Sequence, residues 1–312
     1  MTALAPAGKM GGMGNRHFGK IADVWKHAAL MEAVSRAAPG RYAEIHAGSA
    51  AYPLVRDEER AFGILRFLEV ARHHLALAQS RYLAAVTPHV RAGQAGGGEA
   101  APAYPGSALL AMTALGDECS YLFCDLDPLS AADLRHRAAG LGLRRWQVAE
   151  ADGMLTVRAW LDGAGSAGSG AAAGTAIVHI DPFDPYARAP GGLSALEFAG
   201  HLATSGTGLV YWYGCDEPGE RAWAFRELCD LTRAPLWCGD IMVTDAGGGG
   251  CPGDLGRATT PGTGFGVVLA NLPPSVLSGC AAVGSALASA YTGVTLPGGT
   301  RGGLVFTGYR RA

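Results

Sequence analysis

The segment Ile177-Val178-His179-Ile180-Asp181-Pro182-Phe183-Asp184-Pro185-Tyr186 places two carboxylates and two aromatic rings directly after an apolar, β-branched run. Such a run reads as a buried strand. A carboxylate at its end can accept a hydrogen bond from an N–H or act as a base, and Phe183 and Tyr186 offer stacking faces. Asp-Pro pairs also begin turns in any fold, so the segment alone reads first as entry into a loop.

Three further strand ends carry polar residues of the same kind. Glu44-Ile45-His46-Ala47-Gly48-Ser49-Ala50 ends in small residues that would let the backbone approach a ligand, although it matches G-x-G-x-x-G poorly. Phe123-Cys124-Asp125-Leu126-Asp127-Pro128 offers an acid placed to accept from two ribose hydroxyls, and Asp152-Gly153 an acid that could accept from an adenine amino group. His46 as a loop histidine, Asp127-Pro128 as a turn and Asp152-Gly153 as a turn are the plainer alternatives.

These residues gain meaning from the elements that hold them. Strands are expected at 41–46, 121–125, 146–149, 176–181, 208–213, 236–243 and 264–270, alternating with helical patterns. That alternation predicts a seven-stranded, doubly wound α/β sheet, in which ligands bind beyond the carboxyl ends of the strands near the switch in strand order. Residues 57–87 repeat apolar positions at helical spacing, so 52–105 reads as a helical insertion after the first strand, able to cover the site. The main domain is then 17–51 with 106–312, preceded by a flexible segment 1–16. Glycine-rich stretches at 92–101, 163–174 and 246–253 lack periodicity and read as loops.

Of the 312 residues 49% are hydrophobic and 17% charged, enough to build a full core. A net charge of -2 offers no global excess of Lys and Arg for phosphate, and Arg56, Arg60, Arg66, Arg72, Arg81 and Arg91 form only a weak patch or a solvated helix face. The seven cysteines make no C-x-x-C spacing, so no metal is expected and the thiols read as those of a reducing compartment. With no leader pattern and no run of membrane-spanning length, the expected location is the cytoplasm, away from the membrane.

In order along the chain, His17-Phe18-Gly19-Lys20-Ile21-Ala22-Asp23-Val24-Trp25-Lys26-His27, His46-Ala47-Gly48, Tyr104-Pro105-Gly106-Ser107, Asp125, Asp152-Gly153, the Asp181 loop and Trp212-Tyr213 resemble the bacterial adenine-N6 methyltransferases of large-subunit ribosomal RNA, the RlmJ family. The resemblance runs from about His17 to the last of the seven strands, outside the glycine-rich stretches. Taken alone, Asp23, Lys26 and His27 fit surface charges of an amphipathic helix. The resemblance implies instead a class I, Rossmann-like methyltransferase using S-adenosyl-L-methionine and releasing S-adenosyl-L-homocysteine. It implies cofactor contacts from His27, His46, Gly48, Ser107, Asp125, Asp152, Gly153 and Asp181, with Lys26 at the same pocket and Asp181 also serving the substrate.

Two departures fall on the substrate side. The loop reads D-P-F-D where the family has D-P-P-Y, and Gly12-Met13-Gly14-Asn15-Arg16 holds no counterpart of the family's substrate-contacting tyrosine. Cofactor-side positions are kept or conservatively changed, Asp125 standing where the family has Glu, while the acceptor side is rebuilt, which points to a small aromatic or heterocyclic acceptor such as an indole, methylated on carbon or nitrogen in specialised metabolism. Asp181, Asp184 and Lys26 are then the catalytic candidates, and Phe183, Tyr186, Trp212 and Tyr213 the stacking surface, although the last two, as strand aromatics, are better suited to the core. Ribosomal RNA as acceptor is the alternative, and a non-catalytic cofactor- or RNA-binding scaffold a third reading.

Overall fold

The computed structural model describes residues 18–92, 101–163, 175–245, 263–296 and 299–311. Segment 1–16, His17 and most of the three glycine-rich stretches fall outside the described residues. In chain order the strands are β1 (Arg41–Glu44), the short β2 (Ala51–Pro53) and β3 (Ala103–Pro105), β4 (Ser120–Cys124), β5 (Trp146–Ala149), β6 (Ala176–Ile180), β7 (Gly208–Cys215), β8 (Leu236–Asp245), β9 (Gly264–Ala270), β10 (Val294–Thr295) and β11 (Arg301–Arg311). The helices are α1 (Ile21–Ala37), the short α2 (Glu58–Arg60), α3 (Arg66–Val70) and α4 (Leu75–Ala78), then α5 (Arg81–Val90), α6 (Ser107–Leu115), α7 (Pro128–Gly140), α8 (Gly153–Gly163), α9 (Ala195–Thr204), α10 (Trp223–Leu231) and α11 (Pro274–Ala290).

The main sheet has nine strands rather than the expected seven, in the order β10-β11-β8-β9-β7-β6-β1-β4-β5. The seven expected strands are all in it, and β10 and β11 are the additions. β5, β4, β1, β6 and β7 run parallel, whereas β9 is antiparallel to both β7 and β8 and β11 is antiparallel to β8. β11 escapes a pattern reading because glycine is depleted in strands, yet it contains Gly302, Gly303 and Gly308. Crowding explains two of them: a Cβ on Gly302 would lie 2.1 Å from the Thr244 carbonyl oxygen, and one on Gly303 2.7 Å from that of Tyr291.

Alternate residues of the parallel strands enter two cores, one on each face. Tyr42, Phe123, Ile177, Val210 and Trp212 face a cluster built with α1, α5, α6 and α11. Ala43, Leu122, Val178, Leu209 and Tyr211 face α8, α9 and α10. Helix α1 is the hub of the first layer. Thirteen of its seventeen residues are buried, which removes the surface-helix reading of Lys26 and His27. A helix enclosed on nearly all sides has no need of a polar face, and here α11, α6, α5 and β9 enclose it.

Between β2 and β3, which pair antiparallel, the chain forms the helices α2 to α5. Phe62, Ile64, Phe67, Leu77, Tyr82, Val86 and Val90 of this segment join the α1 core. Gly63 lets it lie against the turn before α1: a Cβ there would stand 2.2 Å from the Gly19 carbonyl oxygen, the group that accepts from Ile64 N–H at 2.9 Å.

A second set of buried polar contacts fixes the far half of the sheet. Asp240, with no exposed surface, accepts from Arg221 Nε at 3.0 Å, Tyr213 Oη at 2.8 Å and the backbone N–H of Ala222 at 3.1 Å. The last bond holds Ala222 in the left-handed region at φ 53°, a conformation that is costly for a residue with a Cβ. Asp240→Ala would leave those donors without their acceptor, and the expected loss is about 2–4 kcal/mol, below the full cost of orphaning a buried charge because Arg221 is partly exposed and also holds Thr307. Urea unfolding with an unchanged m value measures it; a loss under about 1 kcal/mol contradicts this account.

Candidate functional site

The chain runs from β1 to β4 and β5 on one side, then returns with β6 on the other side of β1. In open α/β sheets ligands bind in the crevice beyond the carboxyl ends of the strands at such a change of direction, which here falls between β1 and β6. Asp181 stands at that end of β6, and Lys26 reaches it from the middle of α1. Lys26 Nζ lies 2.5 Å from Asp181 Oδ2 and 2.9 Å from Asp23 Oδ1, and 5.4 Å from the centre of the Trp212 ring. Burial alone would favour neutral Lys26, but the carboxylates of Asp181 and Asp23 outweigh it and hold the amine well above the usual lysine range. Burial alone would likewise raise Asp181, and the Lys26 charge reverses that and draws it below the usual carboxylate range. Both groups are therefore charged at neutral pH, and Asp181 is an acceptor of hydrogen bonds rather than of protons.

The β1 end carries the backbone part of the site. Gly48 has φ +62° and a Cβ there would fall 2.5 Å from Tyr52 Oη, so only glycine fits. Its N–H donates to Asp125 Oδ2 at 2.7 Å, and the N–H of Asp127 donates to Asp125 Oδ1 at 2.8 Å. These two bonds aim the Asp125 carboxylate while leaving it lone pairs for a ligand. His46 is exposed at the mouth and feels Asp181, Asp125 and Asp152, yet desolvation dominates and lowers its pKa, so its ring is neutral at pH 7. Asp152 accepts from Leu155 N–H at 3.0 Å in the first turn of α8. Gly153 has a packing reason of its own, since a Cβ would meet the Ile45 carbonyl oxygen at 2.3 Å.

The remaining expected cofactor residues lie deeper. Ser107 donates to Glu44 Oε2 at 2.7 Å, and Tyr42 donates to Glu44 Oε1 at 2.5 Å. His27 is buried with Nδ1 2.8 Å from Tyr104 Oη, which is itself 3.0 Å from Tyr82 Oη; burial lowers the His27 pKa well below its ordinary value. Ser107 and His27 thus support the crevice floor.

On the acceptor side the four aromatic residues separate. Phe183 and Tyr186 are 78% and 57% exposed on the loop after β6, available for stacking. Trp212 is buried beneath Lys26. Tyr213 faces the opposite layer, donating to Asp240, and reaches Tyr186 only through Trp223, whose ring centre lies 5.6 Å from each. Asp184 is exposed, and its Oδ1 accepts from Tyr186 N–H at 2.9 Å and Ala187 N–H at 3.1 Å, closing its own turn.

Sequence reading passed over Glu44, Tyr42 and His179, which lie inside strands and have no spacing signature. His179, 1% exposed, stands with Nδ1 3.6 Å from Glu44 Oε2 and lies opposite Glu44 in register. Polar residues on one face of two adjacent strands, Tyr42 and Glu44 on β1 and His179 on β6, were the available signal. Among the described residues no group of three or more His, Cys, Asp or Glu side chains could hold a metal, and no helix is long and apolar enough to cross a membrane.

No family model matches the chain, and no curated protein does. Among solved structures, the crystal structure of protein LPL1258 from Legionella pneumophila str. Philadelphia 1, described by the family model DUF519, matches with a TM-score of 0.63 at 19% identity, covering 94% of this chain and 98% of that one. At that identity the likeness is one of fold: a mixed α/β architecture around a large sheet, shared over nearly the whole length of both chains.

Proposed function

We propose that the protein is an S-adenosylmethionine-dependent methyltransferase of the class I, Rossmann-like type, acting on a small aromatic or heterocyclic acceptor such as an indole. The observation that carries the reading is the Lys26–Asp181 pair at the switch point, with Asp125 following β4, Asp152 following β5 and His46 following β1 at the same end of the sheet. The RlmJ-like motifs lie at these same positions. The residues fit the cofactor: Asp125, oriented by Gly48 and Asp127, can accept from two neighbouring ribose hydroxyls, and Asp152 from an adenine amino group.

When bound, the cofactor supplies an electrophilic sulfonium methyl. Everything else is the work of this chain: orientation, desolvation and charge. Asp181, kept ionised by Lys26, accepts a hydrogen bond from the acceptor N–H. For nitrogen attack it stabilises the positive charge that grows on nitrogen, and for an indole carbon it raises electron density at the ring; the proton that the methylated atom then sheds passes to the exposed Asp184 carboxylate or to solvent. Phe183 and Tyr186 stack on the acceptor. The low charge and the acids around the crevice favour a small acceptor over a polyanion.

Methyl transfer from radiolabelled cofactor, measured against a panel of indoles and aromatic amines and against stripped large-subunit ribosomal RNA, tests the reading. Turnover on a panel member is expected. Activity confined to RNA, with salt-sensitive binding, sinks the small-molecule part, and failure of calorimetry to detect the cofactor at all sinks the methyltransferase part.

A further inference from the structure

Tyr104 is a residue that the sequence singles out and that the proposed chemistry does not use. It stands in β3 directly opposite Tyr52 in β2, and these two short strands form a sheet of their own. An isolated pair of strands is marginal in water, so its place has to be fixed by what packs against it. Phe18 stacks on Tyr52 with ring centres 4.9 Å apart and planes 14° from parallel, and the Arg60 guanidinium covers the Phe18 ring at 4.3 Å. The pair is also tied to the loop after β1. Gly106 N–H donates to the Ala50 carbonyl at 2.8 Å, and a Cβ on Gly106 would stand 2.4 Å from the carbonyl oxygen of Ser49.

Each tyrosine hydroxyl ends beside a residue expected to meet the cofactor. Tyr52 Oη accepts from Ser49 N–H at 3.0 Å and lies so close to Gly48 that a Cβ there would fall 2.5 Å away, so it braces the turn whose Gly48 N–H aims Asp125. Tyr104 Oη lies 2.8 Å from His27 Nδ1 and 3.0 Å from Tyr82 Oη, all three side chains being buried. Burial keeps His27 neutral, so its ring has one N–H and one bare nitrogen. A bare imidazole nitrogen is a far better acceptor than a phenol oxygen. Tyr104 therefore donates to Nδ1, Tyr82 donates to Tyr104, and the His27 proton resides on Nε2.

Resting on the methyltransferase reading above, we propose that Tyr52 and Tyr104 are positioning residues for the cofactor: Tyr52 holds the turn at Gly48 and Ser49 in place for Asp125, and Tyr104 holds His27 as the tautomer whose Nε2–H can donate to an oxygen of the cofactor. The 52–105 segment thus acts on cofactor affinity through two hydroxyls, one for each wall of the turn-and-helix frame that carries Gly48 and His27.

The test uses the full chain with Tyr52→Phe, Tyr104→Phe and, as a packing control, Phe62→Leu, whose buried ring packs edge-on against Tyr291. The probe is S-adenosyl-L-homocysteine, titrated by calorimetry. Each Tyr→Phe variant keeps the ring and its stacking, and is expected to raise Kd about three- to tenfold, the weight of one hydrogen bond. Phe62→Leu is expected to lower Tm while leaving Kd within about twofold. Nitrogen NMR of the free protein reads the tautomer without any cofactor: His27 is expected to show a bare Nδ1 and a protonated Nε2, and Tyr104→Phe to shift the Nδ1 resonance. A protonated Nδ1 in the wild type, an unchanged Kd in either Tyr→Phe variant, or a rise in Phe62→Leu as large as theirs would each overturn the proposal while the wild type still binds the probe. A wild type that binds no probe overturns the methyltransferase reading and the cofactor role with it, whereas the NMR result concerns His27 alone, so the two failures are told apart.

Discussion

Asp181→Asn is expected to lower kcat by about a hundred- to a thousandfold, the range seen when a preorganised group aimed at developing charge is removed. Asparagine keeps the size of the side chain and one acceptor oxygen, so what it deletes is the charge. Cofactor affinity should change far less than kcat, since Asp125 and Asp152 are untouched. Stability should fall by about 1–3 kcal/mol, because Lys26 loses its 2.5 Å partner yet keeps Asp23 at 2.9 Å. The pH dependence follows from the two shifts. Asp181 is drawn down, so its contribution to stability is present above the ordinary carboxylate pKa and lost as pH falls through its lowered folded value. Lys26 is drawn up, so its contribution is present below the ordinary lysine pKa and lost as pH rises through its raised folded value. Between about pH 5 and 9 the pair stays charged, and wild-type kcat should show no ionisation of Asp181 in that window. An ionisation near neutrality that disappears in Asp181→Asn would make the residue a base and refute the role given to it here.

Asp125→Ala is expected to raise the cofactor Kd about ten- to a hundredfold, as removal of a doubly accepting, charged partner does. Two losses coincide. The ribose loses its carboxylate, and the Gly48 N–H, which Asp125 Oδ2 holds at 2.7 Å, loses the acceptor that fixes the β1 loop. Asp125→Asn separates them, because its amide oxygen can still accept from Gly48. An intermediate Kd is expected there. Calorimetric titration with S-adenosyl-L-homocysteine measures all three proteins, and an unchanged Kd in Asp125→Ala would remove Asp125 from the cofactor site.

The local elements were legible because they depend on short-range pattern. The apolar runs of β4, β6 and β7 are buried on both faces, so they read as continuous hydrophobic strands. Acids at the strand ends were legible too, since a parallel sheet presents its carboxyl ends to one side. β11 was not, because its glycines answer to the Thr244 and Tyr291 carbonyls, groups brought near by the fold. Asp184 and Tyr213 show the same limit on function. As residue types they suit an acceptor pocket, but only the fold shows that Asp184 also closes its own turn and that the Tyr213 hydroxyl serves Asp240 in the opposite layer.

By itself, then, the sequence determined an α/β chain with acids following its strands and three polar residues, Asp23, Lys26 and His27, in a largely apolar helical run. Only the tertiary structure decided that Lys26 is buried against Asp181, across 155 residues of chain, and that the Tyr213 hydroxyl serves Asp240 in the opposite layer. The physical reason is that a buried charge or hydroxyl takes its meaning from whatever else shares its low-dielectric surroundings, and that company is set by how helices and strands pack.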